Sequence, residues 1–510
     1  MSSDALTDNP LRAGMAGELG VAPAALVIFG ASGDLTGRKL LPGIYNLARN
    51  RLLPSGFALV GFARRPLSDE AFRARMLEQV EAHSRHRPLD RAVWDDLARG
   101  MSYVQGSFGD DAAYRTLAAR LAELDRVRGT AGGRTFYLAV PPAEVRTIVD
   151  ALARAGLAAP PARVVVEKPF GVDLASAVEL NRELRAKLDE RQIFRIDHYL
   201  GKETVQNLLV LRFGNTIFEP LWNRSHVSHV ELTVAEHIGI EGRGKFYEAT
   251  GLLRDIVQNH ALQLLSLVAM EPPIAWDADA VRDEKVKVLR ALRPMRDAAE
   301  VARRSVRAQY AAGVVRGDQV SGYREEPDVA RDSTVETYVA LEVAVENWRW
   351  AGVPFFLRAG KRLAKRVTEI AIHFAPLPHP LFRNAPGAMG TPNTLILRIQ
   401  PDEGIALRFA TKIPGQAMAL RDVAMDFRYG TAFGHETPEA YERLLLDAMR
   451  GDATLFTRHD EAEMQWAYVD PILHAWRNGE APLDSYTAGS WGPEAAERLI
   501  SRAGFDWSKP

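Results

Sequence analysis

The sequence contains no cysteine among its 510 residues. This absence excludes disulfides, thiolate metal sites and cysteine nucleophiles, and it fits a reducing compartment. Any chemistry must therefore come from histidine, lysine, aspartate and glutamate side chains, and the sequence indicates no metal site.

The sequence also has almost no net charge, because 64 lysines and arginines are matched by 65 aspartates and glutamates. No global field therefore attracts nucleic acid or an anionic membrane, and any anion binding must be local. The most apolar stretch, 252–270, falls short of the roughly 20 uncharged residues that span a bilayer. Its interruptions are Arg254, Asp255 and His260. We expect a cytoplasmic protein with neither nucleic-acid nor membrane partners.

The length predicts two domains, since 510 residues exceed what one hydrophobic core usually supports. Residues 1–23 have only scattered apolar positions, and we expect a flexible tail there. In 24–197, short apolar runs alternate with stretches of helical period, which is typical of a parallel sheet covered on both faces. This region is predicted to be a doubly wound, Rossmann-like α/β domain. Its strands are expected at 25–29, 57–62, 135–140, 164–166 and 193–196.

A different pattern begins at residue 198. The stretches 227–234 and 335–345 alternate apolar residues with polar or smaller ones, as half-buried strands of an antiparallel sheet do. Region 198–510 is therefore predicted to be an α+β domain with a large, mainly antiparallel sheet. Further strands are expected at 353–357, 367–374 and 394–399, and helices around 252–270, 438–450 and 461–477.

The first predicted strand is followed by a glycine-rich loop, residues 30–37, and then by a helical pattern. Glycines let a backbone approach a pyrophosphate, and the N–H groups at a helix start meet its charge. The spacing G-x-x-G-x-x-x-G departs from the usual G-x-G-x-x-G, and an ordinary strand-to-helix turn is the alternative. The position after the first strand favours a dinucleotide site. Its predicted ligands are Gly30, Ser32, Gly33, Asp34 and Leu35.

The second predicted strand is followed by Arg64 and Arg65, where an NAD enzyme commonly places an acid for the ribose 2′-hydroxyl. A guanidinium pair suits a 2′-phosphate instead. Solvated arginines are the alternative, but no acid stands nearby to bind the hydroxyl. The sequence therefore favours NADP, with Arg64 as a ligand and NAD as the weaker candidate.

Two charged segments follow later strands of the same domain. Lys168 lies at the carboxyl end of a predicted parallel strand, where α/β sheets bind ligands, although a surface turn explains it equally well. The stretch 195–203 holds six ionisable side chains in nine positions, which is costly unless they meet a ligand or one another. Its donors His198, Tyr199 and Lys202 suit a phosphate, and Asp197 suits the orientation of a histidine. An ion-pair network is the alternative.

Two further features stay open on local chemistry alone. His260 lies on an apolar helical stripe, where a histidine is more often a core residue than a catalyst. If it faces the crevice, its imidazole suits removal of a hydroxyl proton. The stretch 358–366 carries five basic side chains and is either an anion site or a solvated face.

Five motifs stand in order along the chain: GASGDL, EKPFG, RIDHYLGKE, RDIVQNH and RAGK. With them the chain resembles the glucose-6-phosphate dehydrogenase family from about residue 26 to the C-terminus, and RIDHYLGKE is highly specific to that family. The resemblance implies oxidation of C1 of glucose 6-phosphate to 6-phosphogluconolactone with hydride transfer to NADP, the first step of the oxidative pentose phosphate pathway. It also implies a homodimer or homotetramer built on the large sheet.

The resemblance assigns roles to individual residues. It implies that His260 abstracts the proton of the C1 hydroxyl, while Asp197 orients the imidazole and stabilises its charged form. His198, Tyr199 and Lys202 match the family's phosphate-binding residues. The other implied substrate contacts are Lys168, which also meets the coenzyme, Glu236, Asp255, Lys361 and Arg366.

The chain departs from the family at Gly37, where many members carry a basic residue. Two other functions compete with the implied one. The first is another NADP-linked sugar or polyol dehydrogenase, and the phosphate-suited residues around Tyr199 speak against it. The second is a catalytically silent homologue that binds a partner enzyme, and the presence of both His260 and Asp197 speaks against that.

Overall fold

The computed structural model describes residues 21–54, 56–382, 384–386, 392–415, 417–433 and 437–510, and the chain divides into two compact units. The first unit comprises the described residues up to Lys202, Ala275–Arg282 and Pro438–Glu463, and the second comprises Glu203–Ile274, Asp283–Thr437 and Met464–Pro510. The division after residue 202 lies five residues beyond the end of the predicted 24–197 domain. Most of the predicted tail 1–23 lies outside the described residues.

The first unit is built on a six-stranded parallel sheet with the strand order β3-β2-β1-β4-β5-β6. The strand order reverses between β1 and β4, and ligands of such sheets bind at the carboxyl ends near that point. The predicted doubly wound fold is confirmed. Its strands are β1 (Ala25–Phe29), β2 (Ala58–Ala63), β3 (Met101–Gln105), β4 (Arg134–Leu138), β5 (Arg163–Val166) and β6 (Ile193–Arg195).

Helices separate these strands, as the alternating sequence pattern predicted. A π-helical turn, Thr36–Leu40, leads into the first α-helix, and a 3₁₀ turn, Glu190–Gln192, precedes β6. The α-helices are α1 (Leu41–Arg49), α2 (Asp69–His83), α3 (Arg91–Arg99), α4 (Asp111–Arg128), α5 (Pro142–Arg154) and α6 (Leu174–Arg185).

The second unit contains a nine-stranded sheet with the order β16-β15-β14-β13-β7-β12-β11-β8-β17, beside a two-stranded ribbon of β9 and β10. All neighbours in the large sheet are antiparallel except β7 with β12 and β8 with β17, so the mainly antiparallel prediction is confirmed. The strands are β7 (Val227–Ala235), β8 (Ser305–Ala311), β9 (Gly313–Val315), β10 (Asp318–Val320), β11 (Tyr338–Ala344), β12 (Pro354–Gly360), β13 (Val367–Phe374), β14 (Thr394–Gln400), β15 (Gly404–Lys412), β16 (Leu420–Arg428) and β17 (Leu483–Thr487).

The helices of the later chain include one segment that is not α-helical. The stretch 252–270, predicted as a single helix, contains a nine-residue π-helix, Leu253–Ala261. Short 3₁₀ turns are Glu219–Leu221 and Tyr323–Glu325. The α-helices are α7 (Glu203–Phe213), α8 (Gly244–Leu252), α9 (Leu262–Ala269), α10 (Ala278–Arg290), α11 (Ala298–Arg304), α12 (Tyr429–Phe433), α13 (Ala440–Arg450), α14 (His459–Arg477) and α15 (Glu494–Ser501).

The segment Pro438–Glu463, late in the sequence, returns to the first unit. Its buried Glu442 accepts a hydrogen bond from Asn46 at 2.9 Å and pairs with Arg85 at 2.8 Å. Further on, the Thr457 N–H donates to the main-chain oxygen of Arg195 at 3.0 Å, alongside β6. The first unit is therefore complete only with this late part of the chain.

Among the described residues, no helix has both the length and the apolar character needed to cross a bilayer.

Candidate active site

The glycine-rich loop turns sharply directly after β1. Gly30 has φ +81°, and a Cβ on it would lie 2.2 Å from the Ala139 carbonyl oxygen, so only glycine fits there. The Gly30 N–H donates to the Phe62 oxygen, and the Gly33 N–H donates back to the Gly30 oxygen, which ties the loop to β2. Ser32 is half-buried, and Gly33 and Asp34 are exposed. The loop therefore presents a cradle of backbone beside a helix start, which suits a pyrophosphate.

The space around Gly37, where the chain departs from the family, is limited by α2. A Cβ on Gly37 would lie 2.7 Å from the side-chain oxygen of Gln79 on α2. A larger residue at this position requires a different side chain or a shift at Gln79.

Basic residues surround the end of β2. Arg64 and Arg65 are exposed directly after the strand, and the Tyr103 hydroxyl donates to the Arg65 main-chain oxygen at 2.6 Å. Arg75 of α2 donates to the Ser32 oxygen at 3.2 Å, so it ties this helix to the glycine loop. No pattern in the sequence marks Arg75, because nothing distinguishes it within α2 before the contact is known.

The turn after β6 brings the predicted phosphate ligands together. The Tyr199 N–H donates to the buried Asp197 carboxylate at 2.9 Å, which closes the turn. The ring centroids of His198 and Tyr199 lie 5.0 Å apart, and the Lys202 ammonium lies 4.0 Å from the Tyr199 ring centroid. Three donors suited to an oxyanion thus stand side by side.

Arg195, at the start of the same charged segment, has a different setting. Its side chain is fully buried and pairs with Glu190 at 2.6 Å, while its Nε donates to Asn181 at 3.1 Å. Burial raises the pKa of Glu190, but the hydrogen bond with His459 and the charge of Arg195 outweigh it and lower the pKa to about 2. The ion-pair alternative therefore describes Arg195, whereas the turn that follows gathers the donors.

Lys168 follows β5 by two residues and is half-buried. The neighbouring Glu167 accepts a hydrogen bond of 2.5 Å from the buried Tyr137 hydroxyl. Burial raises the pKa of Glu167 above its usual value, although the hydrogen bonds from Tyr137 and Tyr441 and the charge of Lys168 oppose this. Lys168 thus lies at the carboxyl end of a parallel strand, as predicted, next to the Glu167 carboxylate and the two tyrosines that donate to it.

In the second unit, two predicted substrate residues meet at the ends of adjacent parallel strands. Glu236 follows β7 and Lys361 follows β12, and their side chains form an ion pair of 2.6 Å. Lys361 is buried, and its ammonium lies 5.3 Å from the ring centroid of Tyr247. The parallel pairing of β7 with β12 explains why two residues so far apart in sequence converge.

Asp255 and His260 share the π-helix Leu253–Ala261. In a π-helix the hydrogen bonds run from residue i to residue i+5, so residues five apart lie about one turn apart and near the same face. His260 is fully buried and Asp255 is half-buried. Burial raises the pKa of Tyr247, and the nearby charges of Asp255, Glu336 and Glu236 add to the effect. No motif in the sequence marks Tyr247.

The basic run 358–366 divides into different settings. Arg358 is buried and donates to Thr233 at 3.0 Å, while Arg362 pairs with Glu241 at 3.6 Å. Arg366 is exposed and reaches Gln400 at 3.5 Å rather than the Lys361–Glu236 pair. The structure thus brings Lys361 to the predicted ligand Glu236 but leaves Arg366 apart from that pair.

A cluster of side chains of the types that bind metals, His229, Glu231 and His373, lies on the large sheet. His373 is 2.8 Å from the Glu231 carboxylate, and the His229 and His373 rings stack 4.1 Å apart at 6°. Because nitrogen lone pairs lie in their ring planes, two stacked rings do not point at one ion. The Ser508 N–H donates to Glu231 at 2.8 Å, so this cluster fastens the C-terminal residues to the sheet.

The reversal of strand order in the parallel sheet, the glycine loop at its first strand and the charged turn after its last strand define an oxidoreductase that uses a nicotinamide dinucleotide. Two family models match almost the whole chain: "Glucose-6-phosphate dehydrogenase, NAD binding domain" over residues 27–207 and "Glucose-6-phosphate dehydrogenase, C-terminal domain" over 209–508. The chain belongs to the glucose-6-phosphate dehydrogenase family.

Individual relatives agree with this family. The glucose-6-phosphate 1-dehydrogenase 2 of Mycobacterium tuberculosis is 48% identical over 493 residues, covering 96% of this chain and 95% of the relative. The glucose-6-phosphate 1-dehydrogenase of Chlamydia muridarum is 46% identical over 494 residues, with 95% and 96% covered.

Solved structures agree as well. A glucose-6-phosphate dehydrogenase in complex with glucose 6-phosphate matches with a TM-score of 0.88 and 35% identity, covering 97% of this chain and 100% of that one. The crystal structure of the Mycobacterium avium enzyme matches with a TM-score of 0.80 and 40% identity, covering 96% and 99%.

Proposed function

We propose that this chain is a glucose-6-phosphate 1-dehydrogenase, which oxidises C1 of glucose 6-phosphate to 6-phosphogluconolactone and reduces NADP. The observation that carries the proposal is the turn 197–202, where the His198 ring centroid lies 5.0 Å and the Lys202 ammonium 4.0 Å from the Tyr199 ring centroid. Family membership supports the reaction, and the donor set of this turn supports a phosphorylated sugar rather than a free one.

The phosphate is bound by these three side chains of the first unit. Lys202 donates charge-assisted hydrogen bonds to the anionic oxygens, which are shorter and stronger than those between neutral groups. The Tyr199 hydroxyl and the His198 imidazole add donors of different direction. The Tyr199 N–H bond to Asp197 holds the turn in the conformation that presents all three.

Residues of the second unit hold the sugar hydroxyls. The carboxylates of Glu236 and Asp255 accept hydrogen bonds from hydroxyl groups, as ionised acids can only accept. Lys361 donates to Glu236 at 2.6 Å and thereby fixes the direction of that carboxylate. Arg366, exposed on the surface, is a predicted contact with the least support from its surroundings.

His260 acts as the general base on the C1 hydroxyl. Removing this proton while hydride leaves the same carbon yields a neutral lactone instead of a protonated carbonyl. Asp197 is the predicted partner that orients the imidazole and stabilises its charge after proton transfer. Both side chains are buried, which strengthens charge interactions compared with water.

The coenzyme is held by the glycine loop and the basic residues near it. The sharp turn at Gly30 leads the chain from the end of β1 directly into a helix start, and this arrangement supports a pyrophosphate site lined by backbone. Arg64 and Arg65, with Arg75 beside them, bind the 2′-phosphate and favour NADP over NAD. When bound, the nicotinamide ring supplies the hydride acceptor. Lys168, at the end of β5, is a shared contact of substrate and coenzyme.

The assembly is a homodimer or homotetramer, and the edge of the large sheet is its contact surface. β16 is an edge strand whose side chains are largely exposed, including the apolar residues Val423 and Met425. Exposed apolar residues on an edge strand are a typical site of association. Because the substrate and the coenzyme are soluble metabolites, we assign the protein to the cytoplasm. Cell fractionation tests this assignment.

A steady-state assay of NADPH or NADH formation tests the proposal. We expect kcat/KM with glucose 6-phosphate and NADP to exceed that with free glucose by roughly 10⁴, because the donors for the phosphate would stay unpaired with glucose. The same assay should show a higher kcat/KM with NADP than with NAD. Similar constants for both sugars would indicate another sugar dehydrogenase, and no reduction of either coenzyme would indicate a silent homologue.

A further inference from the structure

Tyr441, near the start of α13, lies beside two groups of the proposed site in the first unit. Its ring is parallel to the His198 ring within 6°, with the centroids 6.4 Å apart. The backbones are also close, because a Cβ on Gly201 would lie 2.7 Å from the Ala440 oxygen. The late segment Pro438–Glu463 therefore packs directly on the turn of the phosphate ligands.

The Tyr441 hydroxyl reaches the other group. It hydrogen-bonds the carboxylate of Glu167, the residue before Lys168. Glu167 accepts a second phenol hydrogen bond from Tyr137 of β4, at 2.5 Å. The carboxylate is thus held from two sides by tyrosines, and the peptide that carries Lys168 is held with it.

The electrostatics keep this network in one protonation pattern. Burial raises the pKa of both tyrosines, so their hydroxyls remain donors. Burial also raises the pKa of Glu167, and the two phenol hydrogen bonds with the charge of Lys168 counteract that rise. Loss of either phenol therefore makes the Glu167 carboxylate easier to protonate.

We propose that Tyr441 is a positioning residue for the reaction: its hydroxyl holds Glu167 and thereby Lys168, while its ring sets the plane of His198. The inference rests on the proposed function of Lys168 and His198. No motif in the sequence marks Tyr441, since the residues that it holds lie more than 200 positions earlier.

Two substitutions separate the two contacts of Tyr441. Tyr441→Phe removes the hydroxyl and keeps the ring, so we expect kcat with glucose 6-phosphate to fall about tenfold to a hundredfold while its KM changes little. Tyr441→Leu also removes the ring beside His198, so its KM should rise in addition. Because Glu167 loses a hydrogen-bond donor in Tyr441→Phe, its pKa should rise. On the acid side of the kcat profile, the variant should therefore lose activity at a higher pH than the parent protein does.

Tyr114→Phe is the matched control. Tyr114 is a buried tyrosine of the same unit whose hydroxyl donates to the Phe108 oxygen at 3.0 Å. The Tyr114→Phe substitution should lower the melting temperature about as much as Tyr441→Phe does, but it should leave kcat and the pH profile of kcat unchanged. The double variant Glu167→Gln with Tyr441→Phe should have a kcat no lower than that of the more damaging single variant. Both substitutions disrupt the same hydrogen bond between Tyr441 and Glu167, so their effects should not add.

The outcomes are distinct. A parent protein that does not oxidise glucose 6-phosphate refutes the proposed function itself. An active parent with a Tyr441→Phe variant within twofold in kcat, or an equal loss in Tyr114→Phe, refutes only the positioning role. If circular dichroism shows that Tyr441→Phe is unfolded, Tyr137→Phe tests the same carboxylate through its other donor and must reproduce the loss of kcat.

Discussion

At the scale of single residues, His260 is the side chain whose loss we expect to cost the most activity. His260→Asn keeps the approximate size but removes a strong base, so kcat should fall by roughly 10² to 10⁴, with little change in KM for glucose 6-phosphate. Steady-state kinetics measures both constants. The control is His474→Asn on the exposed face of α14, which should behave as the parent does. Near-native turnover in His260→Asn would rule out its assignment as the base.

Lys202 is expected to act in binding rather than in the chemical step. Lys202→Ala removes a charge-assisted hydrogen bond worth about 1.5–3 kcal/mol, so KM for glucose 6-phosphate should rise roughly tenfold to a hundredfold while kcat changes less. Initial rates at varied substrate concentration give the two values. Lys187→Ala, at an exposed lysine of the same unit, is the control. An unchanged KM in Lys202→Ala would contradict the phosphate role.

The two arginines after β2 are expected to select the coenzyme. Replacing Arg64 and Arg65 together by alanine removes the proposed partners of the 2′-phosphate, so KM for NADP should rise and KM for NAD should stay nearly constant. The ratio of kcat/KM for the two coenzymes measures this selectivity. An unaltered ratio would assign the selectivity to other residues, with Arg75 the first to examine.

At the residue level, the sequence could predict which side chains lie together where ionisable residues were concentrated in one short stretch. The donors His198, Tyr199 and Lys202 stand within five positions, and their short turn necessarily keeps them together. Arg195 belongs to the same charged segment but pairs with Glu190, since its side chain starts from β6 and is fully buried. Residues such as Arg75, Tyr247 and Tyr441 could not be predicted, because their surroundings come from distant parts of the chain.

At the scale of secondary structure, the spacing of Asp255 and His260 depends on the π-helix. In an α-helix, residues five apart point about 140° away from each other, whereas π-helical hydrogen bonding brings them close to one face. The sequence predicted a helix here but not its type, because periodicity of apolar residues barely distinguishes the two. A π-helix is less stable than an α-helix and is commonly found at functional sites.

Strand prediction failed mainly at the sheet edges. The strands β1 and β13 were predicted to the residue, since continuous or alternating apolar residues mark strands with buried faces. The edge strands β3, β16 and β17 were missed, as were β8 and β15 next to two of these edges and the ribbon of β9 and β10. The exposed β16 carries four charged residues among its nine. Edge strands contact only one neighbour and need fewer apolar side chains, so their pattern resembles that of loops.

The ion pair before β6 gives the first unit a pH-dependent stability. The pKa of Glu190 is lowered to about 2, so its stabilising effect is present above its usual pKa and is lost as the pH falls from about 4 towards 2. Glu190→Gln should therefore lower the free energy of unfolding by about 3 kcal/mol near pH 7 and by much less near pH 3. Denaturant unfolding at both pH values measures the difference.

The control for this prediction is Glu179→Gln on α6. Glu179 is an exposed carboxylate that pairs with Arg182 on the same helix, and exposed pairs contribute little to stability. Its substitution should leave the unfolding curves nearly unchanged. A Glu190→Gln effect that stays constant between pH 7 and pH 3 would show that lost packing, rather than the ion pair, causes it.

At the scale of the whole molecule, the exposed sheet edge predicts self-association. Val423→Lys with Met425→Lys places two like charges on β16, so an oligomer formed there should dissociate. Sedimentation velocity measures the mass of the parent and of the variant. Val127→Lys, at an exposed apolar residue of α4, is the control and should leave the mass unchanged. A parent that sediments as a monomer would contradict the proposed assembly.

The return of Pro438–Glu463 to the first unit sets the order in which the protein can mature on the ribosome. When residue 202 has emerged from the exit tunnel, Asn46 and Arg85 still lack Glu442, and the Arg195 main chain still lacks Thr457. The first unit therefore stays incomplete until most of the second unit has been translated. Nascent chains of this protein thus expose an unfinished Rossmann-like fold for much of their synthesis, a long interval in which chaperones can bind them.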